Sequence, residues 1–207
     1  MASFRDAPLS PYWEKFFTPR RRVMYPRVLD LGCGGGRNTE MLIDRGYDVY
    51  ACDKYPSMVR ATAGRLVRRG YRRTAVVQRI THCTMSRLRY RTHFFDAVLS
   101  HGVYHNATSR REYSAALRES ARIIRPGGFL CFNLFTADHI SAGVRRVPTR
   151  EDLYCTREGL RMVLVTSRTF FTLARSCGFR PYSRSVSYRS HVSTGFRWVL
   201  RGVLVKK

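Results

Sequence analysis

Val28-Leu29-Asp30-Leu31-Gly32-Cys33-Gly34-Gly35-Gly36 decides the architecture of this 207-residue chain. A short apolar run carrying one acid opens into a loop that is nearly all glycine, and a helical pattern begins at Arg37. Val28 to Leu31 reads as a buried strand. The whole segment is then a strand–glycine loop–helix unit, in which a ligand approaches backbone that side chains would otherwise obstruct. It is not a dinucleotide fingerprint: G-x-G-x-x-G counted from Gly32 and Gly34 requires a small residue where Arg37 stands. Asp30, ahead of the first glycine, would repel a pyrophosphate and suits a ligand that carries an amino group.

Asp48-Val49-Tyr50-Ala51-Cys52 alternates as a second strand and ends at Asp53, 23 residues after Asp30. An acid at the tip of a second strand is placed to accept both hydroxyls of a ribose. The alternative is a helix-capping acid and a solvated loop acid. A glycine loop with an acid on each side, at this spacing, favours the ligand reading.

Other stretches extend the pattern. Gly36-Arg37-Asn38-Thr39, with Gly46-Tyr47-Asp48-Val49 through Asp53-Lys54, is similar to the tellurite-resistance methyltransferases. Phe95-Asp96-Ala97-Val98-Leu99-Ser100 resembles the fourth-strand motif of the class I S-adenosylmethionine-dependent methyltransferases, and Leu117 through Arg125-Pro126-Gly127-Gly128 their helix, reverse turn and fifth strand. The chain resembles that superfamily over nearly its whole length. The resemblance implies an α/β, Rossmann-like fold: a seven-stranded, mainly parallel sheet with helices on both faces and a C-terminal antiparallel hairpin. It also implies S-adenosyl-L-methionine as the cofactor.

What the resemblance implies about single residues is specific. Asp30, Gly32, Cys33 and Gly34 form the cofactor loop, and Asp53 with Lys54 the ribose end. The superfamily's acid for the adenine amino group falls on Thr84, whose hydroxyl accepts a hydrogen bond without charge assistance. Met85 either packs on the adenine ring or belongs to the core. Ser100 and His101 touch the methionine moiety through backbone, His101 orienting the loop, while Tyr104 and His105 face the methyl group. A histidine has its ordinary pKa near neutrality, so His105 is a candidate base for a protonated nucleophile, the alternative being a capping or packing role. Arg37 sits at the amino end of a helix, where its fork can hold a carboxylate of the cofactor or an anionic group of the substrate. No Asn/Asp-Pro-Pro-aromatic tetrapeptide follows the fourth strand, so methylation of exocyclic amines on nucleobases lacks its usual signature.

Along the chain the reading is one domain, residues 1–207, with residues 1–22 as an N-terminal helical segment. Helices are expected at Ser10–Phe17, Arg37–Arg45, Pro56–Arg69, Ser109–Ile124 and Arg168–Cys177, several closed by glycine. Strands are expected at Thr74–Ile80, Phe94–Ser100 and Gly128–Phe135, then an antiparallel pair at Tyr182–Arg189 and Phe196–Lys206. Ala137–Val165 is the least regular stretch and is expected, with the N-terminal segment, to form a substrate-facing cover.

Composition narrows the class. No run of about 18 apolar residues exists, which argues against a membrane span, and Met1 to Arg22 lacks the apolar core of a signal peptide. Six cysteines make no C-x-x-C pair, a pattern of reduced, mostly buried thiols in a cytoplasmic protein, without zinc or a disulfide framework. The net charge is +24, and only four of the 38 basic residues are lysines. This excess fits an anionic partner, either a small substrate or an acidic macromolecule; it also fits a genome rich in G and C, where arginine codons are favoured. The reading is a methyltransferase acting on a small, anionic or polar metabolite. The competing readings are an RNA-directed methyltransferase, a methyltransferase-fold enzyme whose cofactor supports cyclisation or elimination, and a non-catalytic cofactor-binding partner of a second subunit.

Overall fold

A computed structural model describes residues 10–207 of the protein; the part of the expected N-terminal segment that precedes Ser10 lies outside them. In chain order the elements are α1 (Pro11–Phe16), α2 (Pro19–Met24), β1 (Arg27–Leu31), α3 (Arg37–Asp44), β2 (Asp48–Asp53), α4 (Pro56–Arg68), α5 (Arg73–Arg79) and β3 (Ile80–His82). There follow β4 (Phe95–His101), α6 (Arg110–Ile123), β5 (Ile124–Phe135), β6 (Val144–Arg146), β7 (Leu153–Thr156) and β8 (Arg161–Val163). The chain closes with α7 (Ser167–Ser176), β9 (Phe179–Pro181), β10 (Val186–Val192) and β11 (Gly195–Lys206).

The main sheet runs β10-β11-β5-β4-β1-β2-β3, with β9 added against β11. The first five strands in sequence are parallel, and β11 enters antiparallel to β5 and carries β10 antiparallel on its outer side. Strand order reverses where β1 separates β2 from β4, and in such sheets ligands sit outside the carboxyl ends of the strands at that point. The expected seven-stranded sheet and closing hairpin are therefore present, with the short β9 as an eighth strand.

Alternation along each central strand sends apolar side chains to both faces, which is why the strands read as continuous apolar runs. On one face Val28, Val49, Ala97, Leu99, Phe129, Cys131 and Val203 pack against Trp13 and Phe17 at α1 and against Met41 and Leu42 of α3. On the other, Leu29, Val98, Leu130, Phe132 and Leu200 pack against Tyr113 and Leu117 of α6 and Phe170 of α7. Helix starts follow side-chain chemistry: Ser109 Oγ accepts from the Glu112 backbone N–H, and the Glu112 carboxylate accepts from Thr108 in return. This reciprocal bonding satisfies donors that α6 leaves open.

Two expected elements differ. A strand is expected at Thr74–Ile80, but Arg73–Arg79 is α5 and only Ile80–His82 pairs with β2. Ala51 is opposite Ile80 in that parallel pair, so a strand begun at Thr74 would overrun the start of β2 at Asp48. A helix that turns Val76 onto Leu66, Ala51 and Ile80 buries the apolar side chain instead. Ala137–Val165 is also more regular than expected. It contains a three-stranded antiparallel sheet, β6-β7-β8, whose Leu153 and Val163 join the main core.

Trp13 and Phe17 anchor the N-terminal helix on the sheet. Trp13 is fully buried, and its indole N–H donates to His101 Nδ1 at 2.7 Å. Trp13→Ala is expected to open α1 locally without unfolding the sheet, because the core strands keep their own ladders. Amide hydrogen exchange should show lost protection over residues 11–17 with β1, β4 and β5 unchanged.

Candidate functional site

The carboxyl ends of β1, β2 and β4 bring the glycine loop, Asp53 and the segment after Ser100 together. The Gly32 and Cys33 backbone N–H groups both donate to Cys52 carbonyl oxygen, at 2.8 and 3.0 Å, which turns the chain sharply at the tip of β1. Gly32 has φ +71°, and a Cβ there would lie 2.5 Å from Val103 Cγ2, so the loop and the segment after β4 close on each other only through glycine. At Gly34, φ +55°, a Cβ would project into open space. That space is the cradle.

Asp53 organises it. Its Oδ2 accepts from the Gly34 N–H at 3.0 Å and its Oδ1 from the Tyr55 N–H at 2.9 Å. Each carboxylate oxygen has a second acceptor site, so the group can still receive ligand hydroxyls. Lys54 Nζ donates to Asn106 carbonyl oxygen at 3.4 Å, and Thr62 Oγ1 donates to Gly34 carbonyl oxygen at 2.9 Å. Neither Lys54 nor Thr62 was singled out as a loop brace from sequence; Thr62 carries no motif that could have shown it.

Asp30 is almost fully buried. Thr39 Oγ1 donates to its Oδ2 at 2.6 Å, while Oδ1 has no partner. Burial raises its pKa from 3.8 to about 6, opposed by the Thr39 hydrogen bond and reinforced by the Asp53 charge. An orphaned carboxylate oxygen in a dry site calls for a cationic or N–H donor, which is the test a ligand with an amino group must meet.

Beyond the acids, Cys33 is buried with its thiol pushed far up by desolvation, an inert packing group and not a nucleophile. Thr84 is exposed, in the turn that bridges to Arg87. Of the two readings of Met85 the structure has the core one: it is buried in the main apolar cluster. Ser100 is fully buried at the end of β4.

His105 and Tyr104 behave differently from the sequence expectation. Tyr104 is fully buried, and its hydroxyl bonds Ser120 Oγ at 2.7 Å inside the core, away from any ligand surface. His105 is buried and stacks on Phe135, with ring centroids 4.0 Å apart. Its Nδ1 accepts from the Phe135 backbone N–H at 3.1 Å, so the proton of the neutral ring is on Nε2. Burial lowers its pKa to about 3, with His101 and Arg197 adding to the shift. An imidazole in this state has no free lone pair, so the arrangement offers a donor where a base was expected. His101 is likewise held neutral, its pKa lowered to about 3 by burial and by Arg37 and Arg201. Arg37 Nη2 lies 3.3 Å from His101 Nε2.

The described residues hold no helix long and apolar enough to cross a membrane. All six cysteines are free, four of them buried.

Comparison with known proteins agrees with this geometry. Residues 29–132 match the model of a family described as a methyltransferase domain. Over 122 residues the chain is 34% identical to an uncharacterized methyltransferase of Mycobacterium tuberculosis strain H37Rv, and equally to one of Mycobacterium bovis. That alignment covers 58% of this chain and 44% of the relatives, so less than half of their length is spanned. Among solved structures, a Pyrococcus horikoshii protein superposes with a TM-score of 0.72 at 17% identity, covering 100% of this chain and 96% of that one. A Burkholderia thailandensis 1,6-didemethyltoxoflavin-N1-methyltransferase, with substrate and S-adenosylhomocysteine bound, gives 0.64 at 21%, covering 98% and 93%. The [4+2]-cyclase SpnF gives 0.65 at 16%, covering 99% and 85%. At these identities the structures speak to the fold alone.

The buried charge of Asp30 has a sign that can be checked. Its folded-state pKa is raised, so the folded chain takes up the proton first and stability falls as pH rises from about 4 to about 6. Asp30→Asn should stabilise the ligand-free protein above pH 6 by on the order of 2 kcal/mol, a gain that disappears below pH 4. Urea titrations across that range measure it.

Proposed function

The chain belongs to the methyltransferase domain family, of the class I, S-adenosylmethionine-dependent type, and from that premise we propose that it methylates a small anionic or polar metabolite by direct transfer. The observation that carries the cofactor assignment is the orphaned Oδ1 of Asp30 beside the open cradle at Gly34. In this reading Asp30 receives the amino group, Asp53 receives the ribose hydroxyls, and Arg37 takes the carboxylate with its fork. When bound, S-adenosylmethionine supplies a methyl group already activated on a sulfonium.

The chain's own residues then have three tasks: to bind, to align and to keep water out. Burial of Asp30 makes its bond to an ammonium count for more than an exposed one would. The closure of Gly32 on Val103 keeps the loop and the post-β4 segment in fixed relation, which aligns the methyl with whatever the segment from Gly102 to Asn106 presents. Trp13 over His101 closes the face from above. No imidazole lone pair is offered by His101 or His105, so the nucleophile must carry its own at working pH.

A second reading has one observation behind it: the fold neighbour that is a cyclase shows that this scaffold hosts a non-methylating reaction in another protein. Scoring S-adenosylhomocysteine formation across candidate acceptors separates the two. Formation supports methyl transfer; product without it supports the cofactor as a structural or electrostatic aid.

Two measurements test the site. Asp53→Ala should weaken S-adenosylhomocysteine binding by more than tenfold in calorimetry, because charge-assisted hydrogen bonds are each worth about 1.5–3 kcal/mol; undiminished binding would remove Asp53 from the site. His105→Gln should lower turnover without changing the shape of its pH profile, since His105 stays neutral down to about pH 3. A limb near pH 6.5 present in the native protein and absent from the variant would restore His105 as a base.

A further inference from the structure

His101 of β4, Asn133 of β5 and Arg201 of β11 stand side by side across three neighbouring strands: His101 is opposite Asn133, and Asn133 is opposite Arg201. Register partners share a face of the sheet, and so do residues two apart on one strand. Two residues deeper, the same face carries Leu99, Cys131 and Val203, and beyond them Ala97, Phe129 and Val205; these pack in or against one apolar cluster beneath α1 and α3. Three strands thus change together from apolar to polar at one level. That level is the carboxyl end of β4 and β5, where the cradle lies.

The polar groups of this row are underused. Arg201 Nε is buried with no partner, and the Arg201 Nη2 donates to the Tyr188 hydroxyl, not to an acid. No carboxylate pairs with Arg201 among the described residues. Aromatic rings wall its guanidinium: Tyr188 at 4.9 Å, Tyr12 at 5.6 Å and Trp13 at 6.0 Å. Asn133 is buried beside it. The Trp13 indole N–H donates to His101 Nδ1 at 2.7 Å, and Arg37 Nη2 lies 3.3 Å from Nε2, so donors face both ring nitrogens. The row therefore presents a guanidinium and an amide at one level, beside an imidazole whose two nitrogens are engaged.

We infer that this row is the acceptor subsite and that it takes the carboxylate of a small carboxylate-bearing substrate, a proposal that rests on the methyltransferase reading and extends it to the substrate class. The guanidinium fork matches a carboxylate in plane and in donor spacing. Arg201 is half-buried, and its buried Nε has no partner and no acid beside it, a charge that a monoanion neutralises. His101 is held neutral, so the row itself carries one positive charge, the complement of a carboxylate and half that of a phosphate dianion. Arg37 lies on the other side of His101. The aromatic walls receive the apolar part of the acceptor.

The test uses the full chain loaded with S-adenosylhomocysteine, with benzoate, benzamide and inorganic phosphate as probes followed by calorimetry and ligand-observed NMR. Benzoate should bind at least tenfold more tightly than benzamide and than phosphate. Arg201→Met should lower benzoate affinity at least tenfold while S-adenosylhomocysteine affinity stays within twofold, which also shows that the variant is folded. Arg201→Lys, which keeps the charge and loses the fork, should fall between the two. Equal binding of benzoate and benzamide, tighter binding of phosphate, or benzoate affinity that ignores both substitutions would overturn the subsite. Failure of the native chain to bind S-adenosylhomocysteine would instead overturn the methyltransferase reading, so the two failures are distinguishable. Should Arg201→Met not fold, Arg201→Lys and Asn133→Leu carry the same comparison, with a tenfold loss of benzoate affinity expected of Asn133→Leu and no loss in either variant overturning the subsite.

Discussion

One carboxylate holds the site in shape. Asp53, at the end of β2, takes the Gly34 N–H on one oxygen and the Tyr55 N–H on the other. It thereby ties the glycine loop of β1 to the start of α4. A loop of five residues with four glycines has little conformational preference of its own, and each glycine loses more freedom on ordering than any other residue type. External bonds must supply the order. The Cys52 carbonyl takes two loop N–H groups, Thr62 caps the Gly34 carbonyl, and Asp53 completes the set. The same acid that the ligand reading assigns to a ribose is thus a structural brace, and the two uses do not compete, since each oxygen accepts more than one donor.

Much of the fold was legible because the parallel sheet is buried on both faces. Its strands at Val28–Leu31, Phe95–Ser100 and Phe129–Phe135 have apolar runs that nothing else explains, and glycines punctuate the helices between them. What was not legible had competing local signals. Thr74-Ala75-Val76-Val77 has the residue types of a strand, yet the length of β2 leaves no ladder for it, a fact about a partner strand and not about the segment. The 137–165 stretch lacks the long alternation of a core strand because its three strands have three or four residues each.

The site was legible in its acids and glycines and opaque in its histidines. Asp30, Asp53 and the loop are read from position relative to a strand end, and position is what the sequence pattern encodes. The role of an imidazole depends on which nitrogen meets which neighbour. Nothing in Ser100-His101-Gly102-Val103-Tyr104-His105-Asn106 shows that Phe135 offers its N–H to His105, or that Trp13, 88 residues away, offers its own to His101. Arg201 is obscured for another reason: among 38 basic residues no single arginine stands out. Other arginines among the described residues are paired with acids, Arg69 with Asp44 and Arg79 with Asp48 at exposed positions among them, and such exposed pairs contribute little. An arginine with an unpartnered buried Nε differs from these in physical kind, and only the sheet register exposes it.

The charge pattern of the site then has a consequence for the kind of chemistry that fits. Donors dominate the row at the carboxyl ends of β4 and β5, where Arg201 of the antiparallel β11 joins them, and both imidazoles are held neutral by burial and by neighbouring cations. Such a site stabilises negative charge and does not remove protons. Methyl transfer tolerates this, because the leaving sulfonium is already activated and the nucleophile needs only a lone pair in line with the methyl carbon. Acyl transfer or hydrolysis would need a base and a positioned water. Asp30, whose burial raises its pKa to about 6, belongs to the opposite side of the cradle and is engaged by Thr39. Asp30 and Asp53 stand at the ends of β1 and β2, while Arg201 lies toward β4, β5 and β11. In the proposed reading, a zwitterionic ligand with its ammonium and carboxylate on one carbon fits between Asp30 and Arg37, and an anionic acceptor is left the side toward Arg201.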